Sequence, residues 1–388
     1  LAWSLEEDGV ETQNGTIADL DVPAQQTRTY TIPYDRSKIT GKEVFLNIDF
    51  RLKNSEPLMT AGQIVAYAQL PVVTKQACEG NCSKMLAEGH GKKKMKLAAK
   101  KDNVVAVTTP NLTFKLDRTT GLISEYAYNG KSMLGEGGTL KPNFWRAPTD
   151  NDMGANFQKK FKVWKNPQMN LKNIDVKKDK KANTVTIVTS FDMPEVQGQM
   201  DITYLVFANT GAVKVTEDFK ATEGAKVSDM FRFGMLLQMP YSMEKSTYYG
   251  RGPIENYSDR KDCMRIAIYN DEADNQYFPY IRPQESGTKS DIRWWKQTDA
   301  TGLGLQVKSC APFYASALHF DTEELDDGDE KEQRHSFDLK KSKFTNLFLD
   351  AAHMGVGGEN SWGAWPLEKY RVHYGNKTFN FVLIPQTK

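Results

Sequence analysis

The stretch 200-MDITYLVFANTGAVKVTEDFK-220 alternates apolar and polar residues on both sides of Asn209-Thr210-Gly211. A period of two is the signature of strands with one buried face, and an Asn-x-Gly punctuation between two such runs reads as a hairpin turn. The same alternation precedes it in 184-TVTIVTSFDM-193. Further strand-like runs follow in 302-GLGLQVKS-309, 313-FYASALHF-320, 345-TNLFLDAAHM-354 and 377-KTFNFVLIP-385. Upstream, 103-NVVAVTTPNLTFKLDRTTGLISEYAYNG-130 holds two further turn signals, at 117-DRTTG and 129-NG. Few segments keep a helical period for more than two turns. The expectation is an all-β chain whose larger part is one broad antiparallel domain of stacked sheets. No fixed repeat is visible, which disfavours a propeller.

The first residues also read as short strands, in Ala2–Glu6, 26-QTRTYTIPY-34, 44-VFLNIDFRL-52 and 63-QIVAYAQLPV-72, with a turn at 8-DGVE-11. Strands of that length, parted by turn residues, predict a small β-sandwich of the immunoglobulin type. About 75 residues is thin for one, so a first strand is expected to be missing. From residue 75 to residue 101 the pattern gives way to Gly, Lys, Ala and Ser, predicting a linker. The organisation expected is therefore a sandwich over 1–74, a linker over 75–101 and a large domain over 102–388.

A net charge of +2 on 388 residues gives no support for nucleic-acid binding, and the cluster 91-GKKKMKLAAKK-101 lacks interleaved aromatics. No run of about eighteen apolar residues predicts a membrane span. The chain opens without Met, a basic start or an apolar signal core, inside what reads as a strand. That opening reads as a fragment of a longer chain and leaves cytoplasm and periplasm both open. Four cysteines are too few for a disulfide framework. A zinc site at Cys78 and Cys82 would have only His90 nearby, so a local disulfide or free thiols are expected there.

Four segments rich in Arg, carboxylates, amides and aromatics interrupt the strands: 142-PNFWRAPTDNDMG-154, 247-TYYGRGPIENYSDRK-261, 280-YIRPQESGTKSDIRWW-295 and 354-MGVGGENSWGAWP-366. Sugar sites use that mixture, an aromatic face against the C–H side of a pyranose and polar groups on its hydroxyls. A structural role is the competing expectation. Arg146 with Asp150 or Asp152, Arg251 with Glu255 or Asp259, and Arg293 with Glu285 or Asp291 could each lock a loop as an ion pair. Trp145, Tyr248, Tyr249, Trp294 and Trp295 are expected to pack. The triplet Asp150-Asn151-Asp152 lacks the later Glu of a calcium loop, and 321-DTEELDDGDEKE-332 reads as a solvated acidic loop. His353 is expected to be packed.

Taken in order, 143-NFWRAPTDND-152, 250-GRGPIENYSDR-260, 282-RPQESG-287 and 354-MGVGGENSWG-363 resemble the signature segments of the C-terminal part, or small chain, of glycoside hydrolase family 2 β-galactosidases. The stretch 1-LAWSLEEDGVETQNGT-16 resembles the small sandwich that precedes it. The resemblance implies an antiparallel supersandwich similar to that of galactose mutarotases. It implies that Trp362 acts as a platform for the sugar, with Glu359 and Asn360 beside it in the glycine-rich loop. Arg146, Asp150, Asp152, Arg251, Glu255, Arg282 and Glu285 fall in its structural motifs.

The catalytic glutamate pair of the family lies on a barrel whose motifs are not in this sequence, so the chain is expected to be inactive alone. No cofactor is expected in it, the divalent cation and sodium of a parent enzyme being sited mostly elsewhere. Its expected partners are a β-galactoside, the rest of its own polypeptide and further copies in a homo-oligomer. A galactoside-binding module or separate small subunit is the alternative. An epimerase on the same fold is disfavoured by five scattered histidines.

Overall fold

A computed structural model describes residues 1–74, 93–99, 103–332 and 334–387. The chain falls into two units, Leu1–Ala77 with Arg265–Ile268, and Cys78–Met264 with Tyr269–Lys388. It is all-β: the described residues form antiparallel sheets, with helices of only four or five residues.

In the first unit Val10–Thr16, Ala2–Glu7, Val44–Arg51 and Ile64–Val73 pair in that order. Trp3, Leu5, Val44 and Leu46 turn to one side and form its core, the alternation that a one-sided sheet imposes. The expected strand over 26–34 forms no ladder. Among the described residues this unit therefore contributes one sheet of the expected sandwich. In its place Gln13 holds the 35-region, its amide exchanging hydrogen bonds with the Asp35 backbone at 3.0 and 2.7 Å.

In the second unit the hairpin that opened the sequence reading forms as expected. Gly198–Phe207 pairs with Val213–Ala221, Met200 facing Phe219 and Val206 facing Val213. From there the large sheet runs outward through Thr184–Met193 to Asn170–Asp179. On the other side it runs through Lys377–Gln386, Gly304–Leu318, Phe344–His353 and Arg232–Pro240 to Leu140–Asn143. The two runs expected at 302–309 and 313–320 are one fifteen-residue strand, which pairs with Lys377–Gln386 through its first half and with Phe344–His353 through its second.

A five-stranded sheet, built from Lys96–Ala98, Val104–Thr108, Leu112–Asp117, Ile123–Tyr128 and Lys131–Ser132, packs its apolar face on the large sheet. Phe114 meets Tyr204 at 6.0 Å between ring centroids, and the Tyr126 hydroxyl donates to the Gly211 carbonyl at 2.8 Å. Lys96–Ala98, within the stretch expected as a linker, is an edge strand of this sheet. Cys78, Cys82 and His90 lie outside the described residues.

The register places the loops that matter. Asn143 faces Gly234 and Arg232 faces His353. The segments that begin at Phe144 and Met354 therefore leave the two strands that flank Arg232–Pro240, at the same end of the sheet.

Candidate functional site

Arg146 is the knot between those two segments. Its guanidinium makes a bidentate pair with Asp152, Nε to Oδ2 at 3.0 Å and Nη2 to Oδ1 at 2.8 Å. It also donates to the carbonyls of Met354 at 2.7 Å and Gly355 at 2.9 Å. Both side chains are buried, and the ring of Phe231 lies 4.8 Å below the guanidinium. Burying a charge this deep is tolerable only when it is paired and hydrogen-bonded.

Asp152 is held in turn by a capping box. Its amide donates to Thr149 Oγ1 at 3.1 Å, and its carboxylate accepts the Thr149 N–H at 2.8 Å. The alternative partner, Asp150, faces the other way. It accepts from Arg282 Nε at 3.1 Å and Gln284 Nε2 at 3.0 Å, with Lys331 Nζ at 3.6 Å. Burial pushes the Asp150 carboxyl up, but the bonds from Gln284 and Arg282 outweigh it and hold the group below the usual range.

The glycine-rich loop is pinned from three sides. Asn151 donates to the Val356 carbonyl at 3.1 Å and accepts from the Gly363 N–H at 3.4 Å. The Asp259 carboxylate accepts the N–H groups of Val356 and Gly357, at 3.0 and 2.8 Å. Arg146 holds the two carbonyls just before. Gly357, at φ +67°, would place a Cβ 2.5 Å from the Ala364 carbonyl oxygen, and Gly363, at φ +78°, one 2.9 Å from the Gly154 backbone. Only glycine meets both demands.

The two tryptophans of the loop part company. Trp365 packs edge-on against Phe157 at 4.5 Å between ring centroids, and stacks with Lys160 and Arg371 over its faces at 4.9 and 4.7 Å. Trp362 stays 66% exposed, with Lys331 Nζ 4.4 Å from its ring centre. Lys331 therefore ties the free indole to Asp150, and through it to Arg282 and Gln284. Glu359 and Asn360 are exposed at the crest of the same loop, Asn360 Oδ1 accepting from Ser361 Oγ at 3.3 Å.

Arg282 reaches further, to the Pro148 carbonyl at 2.8 Å and to the fully buried Asp327 at 2.9 Å, which Arg334 also binds at 2.8 Å. The acidic stretch after residue 321 is thus no solvated loop at its centre. Asp326 takes the Trp145 indole N–H at 2.8 Å, and Asp327 neutralises two arginines.

The remaining motif residues stand elsewhere, and Arg251 pairs differently from expectation. Arg251 binds Asp291 at 2.5 Å and the Met264 carbonyl at 2.7 Å, not Glu255 or Asp259. Glu255 takes Arg260 at 2.5 Å, the Tyr280 hydroxyl and the Gly287 N–H at 2.8 Å. Arg293 donates to the Asp291 carbonyl and lies over Tyr249, while Glu285 faces Arg232 at 3.6 Å and accepts from Thr288 at 2.7 Å. Burial raises the Glu285 carboxyl despite Arg232. Arg232 also binds Asp350, at 2.7 Å, whose carboxyl burial likewise pushes up.

His353 is packed between Tyr257 and Tyr314. Burial and then the charges of Arg232 and Arg146 push its pKa well down, so it is neutral. Trp145, Tyr248, Tyr249 and Trp295 are core residues, and Trp294 is partly so. Among the described residues no group of three or more His, Cys, Asp or Glu could hold a metal ion.

Residues 108–383, which hold this loop cluster, match a known family described as Beta galactosidase small chain. The chain belongs to the β-galactosidase small-chain family. Residues 1–73 match a second family, described as β-galactosidase domain 4. A β-galactosidase of Priestia megaterium is 27% identical over 388 residues, covering 99% of this chain and 36% of that protein. One from Lactobacillus delbrueckii subsp. bulgaricus is 34% identical over 222 residues, covering 57% of this chain and 21% of the relative. The chain therefore spans about a third or less of the length of these relatives. Solved structures to which it is similar include a galactose mutarotase related enzyme from Lactobacillus acidophilus, at a TM-score of 0.38 and 8% identity over 76% of this chain and 98% of that one.

Sequence reading singled out Trp362, Asp150 and Arg282, and the fold brings them to one face. It did not read Asn151, Gln284, Asp259 and Lys331 as partners of this loop cluster, although Asp259 was an expected partner of Arg251 and Asn151 stood in the Asp150-Asn151-Asp152 triplet. The first three sit inside the quoted motifs, but only Gln284 stands next to a proline that could have flagged a backbone anchor. Lys331 carries no such signal.

Proposed function

We propose that this chain is the non-catalytic C-terminal part of a β-galactosidase that releases terminal β-D-galactosides with retention, and that Trp362 is its sugar platform. The observation that carries the reading is the free indole of Trp362, held on a loop whose backbone is fixed by Arg146, Asn151 and Asp259. A broad apolar face beside the hydrogen-bonding groups of Asp150, Gln284 and Lys331 suits a pyranose, whose C–H side stacks while its hydroxyls bond. The nucleophile and acid/base, two carboxyls about 5 Å apart in a retaining enzyme, belong in this reading to the rest of the polypeptide, as do the divalent cation and sodium of the whole enzyme. Homo-oligomeric assembly is part of the same proposal.

The test is kinetic. In the complete polypeptide Trp362→Ala raises KM about tenfold and leaves kcat within a few-fold, because a platform binds ground and transition states alike. An unchanged KM with a collapsed kcat overturns the platform role. The isolated chain should release no nitrophenol from nitrophenyl β-galactoside, and turnover there overturns the non-catalytic assignment.

A further inference from the structure

The small-chain unit holds a cavity of about 560 Å³ that shares no lining residue with the Trp362 face. Its size falls among small-molecule sites, about 300–1,000 Å³. Its floor carries Lys289, 1% exposed, whose ammonium donates to the Gly287 carbonyl at 2.7 Å while Asp271 stands 3.8 Å away. An ammonium has three donors, so at least one is left for the cavity. Burial pushes this lysine down to about 8.

On the wall, Glu255 is already satisfied by Arg260, Tyr280 and the Gly287 N–H. The exposed Asn270 spends its carbonyl on the Thr247 hydroxyl at 2.7 Å, which leaves its NH2 unused, and Asn275 is exposed beside it. At the mouth Phe278 is 54% and Ile254 61% exposed, and the Phe278 ring centroid lies 4.6 Å from that of Tyr280.

The charges of the lining cancel, Lys289 and Arg260 against Glu255 and Asp271. A phosphate or carboxylate gains nothing from such a balance, and a bare cation meets Lys289 first. What the surface does offer is two adjacent rings above donors and acceptors of both kinds. We propose that this cavity binds a neutral, hydroxyl-rich ring of monosaccharide size, stacked on Phe278 and Tyr280 and hydrogen-bonded by Lys289, Asn270 and Asn275.

The experiment is a calorimetric titration with D-galactose and with D-glucose, run on the unaltered protein, on Trp362→Ala, and on Trp362→Ala carrying Phe278→Ala and Asn275→Ala. All three positions are exposed, and an unchanged Tm serves as the folding control. Trp362→Ala should retain one saturable site for at least one of the two sugars. Adding Phe278→Ala and Asn275→Ala should weaken that site about tenfold, ~1.4 kcal/mol. The inference is overturned if Trp362→Ala abolishes binding of both sugars. It is also overturned if the added pair changes nothing, or if inorganic phosphate displaces the sugar. Failure here leaves the KM test of the Trp362 platform untouched, and the reverse also holds.

Discussion

The Asp259 carboxylate accepts the backbone N–H of Gly357 at 2.8 Å across 98 residues of chain. With the neighbouring Val356 N–H at 3.0 Å it closes a two-pronged anchor under the loop that carries Trp362. Asp259→Asn keeps one acceptor and turns an NH2 toward the other N–H. The expected loss is about 1–3 kcal/mol of local stability, read as faster amide exchange at Val356 and Gly357. Unchanged exchange there would show that the anchor is dispensable.

Arg146→Met removes four hydrogen bonds at once and strands the Asp152 carboxylate in the core. Breaking a buried pair from one side costs about 3–5 kcal/mol, so urea unfolding should shift by that amount. The double variant Arg146→Met with Asp152→Leu should recover part of the loss, because the unpaired charge goes with it.

Gly363→Ala tests backbone rather than charge. At φ +78°, with a new Cβ 2.9 Å from the Gly154 carbonyl carbon, the loop must move. Strain of about 1–3 kcal/mol is expected. It should appear mainly as weaker galactoside binding and altered Trp362 fluorescence, with a smaller change in Tm. A variant with normal affinity would mean that the indole tolerates displacement.

Glu217 supplies a pH dependence. It occupies an inward position of Val213–Ala221, fully buried, and neither carboxyl oxygen has a hydrogen-bond partner. Burial, followed by repulsion from Asp350, raises its pKa well above the ordinary 4.5. The folded state therefore keeps a proton that the unfolded chain releases. Its contribution to stability is fully present below pH about 4.5 and falls as pH rises toward the folded value, by at most ~1.4 kcal/mol per pH unit. Glu217→Gln removes that term, so urea unfolding at pH 5 to 8 should show the variant gaining on the parent as pH increases. Parallel curves would mean that Glu217 does not hold its proton.

The strand framework was legible because a period of two runs through Thr184–Met193, Gly198–Phe207 and Val213–Ala221, and the Asn209-Thr210-Gly211 and Asn129-Gly130 turns carry their own chemistry. Arg232–Pro240 and Phe344–His353, buried on both faces, do not alternate. The 26–34 stretch shows where that signal fails. Its Thr and Tyr residues favour strands, yet most of it is exposed and no neighbour offers it a ladder. Glu217 is the opposite case, a charged residue in a slot that alternation assigns to the core. At the site, motif order brought Trp362 into view, but pairing could not be read from spacing. Spacing offers Arg251 the acids within eight residues, whereas Asp291 sits 40 away and wins because its strand end lies alongside. Asp327 looked solvated because it stands among acids, and only the fold brings Arg282 and Arg334 to it.

The pinning of the Trp362 loop also divides its surroundings into what can be varied and what cannot. Asp150, Asn151 and Arg282 hold the architecture together, so selection on sugar preference would meet a folding cost at each of them. Lys331 shows no such second duty among the described residues: its ammonium spans the indole and Asp150 from an exposed position. If the proposed sugar platform holds, a library aimed at new aglycones should begin there, with Glu359 and Asn360 next, and leave the buried arginines alone.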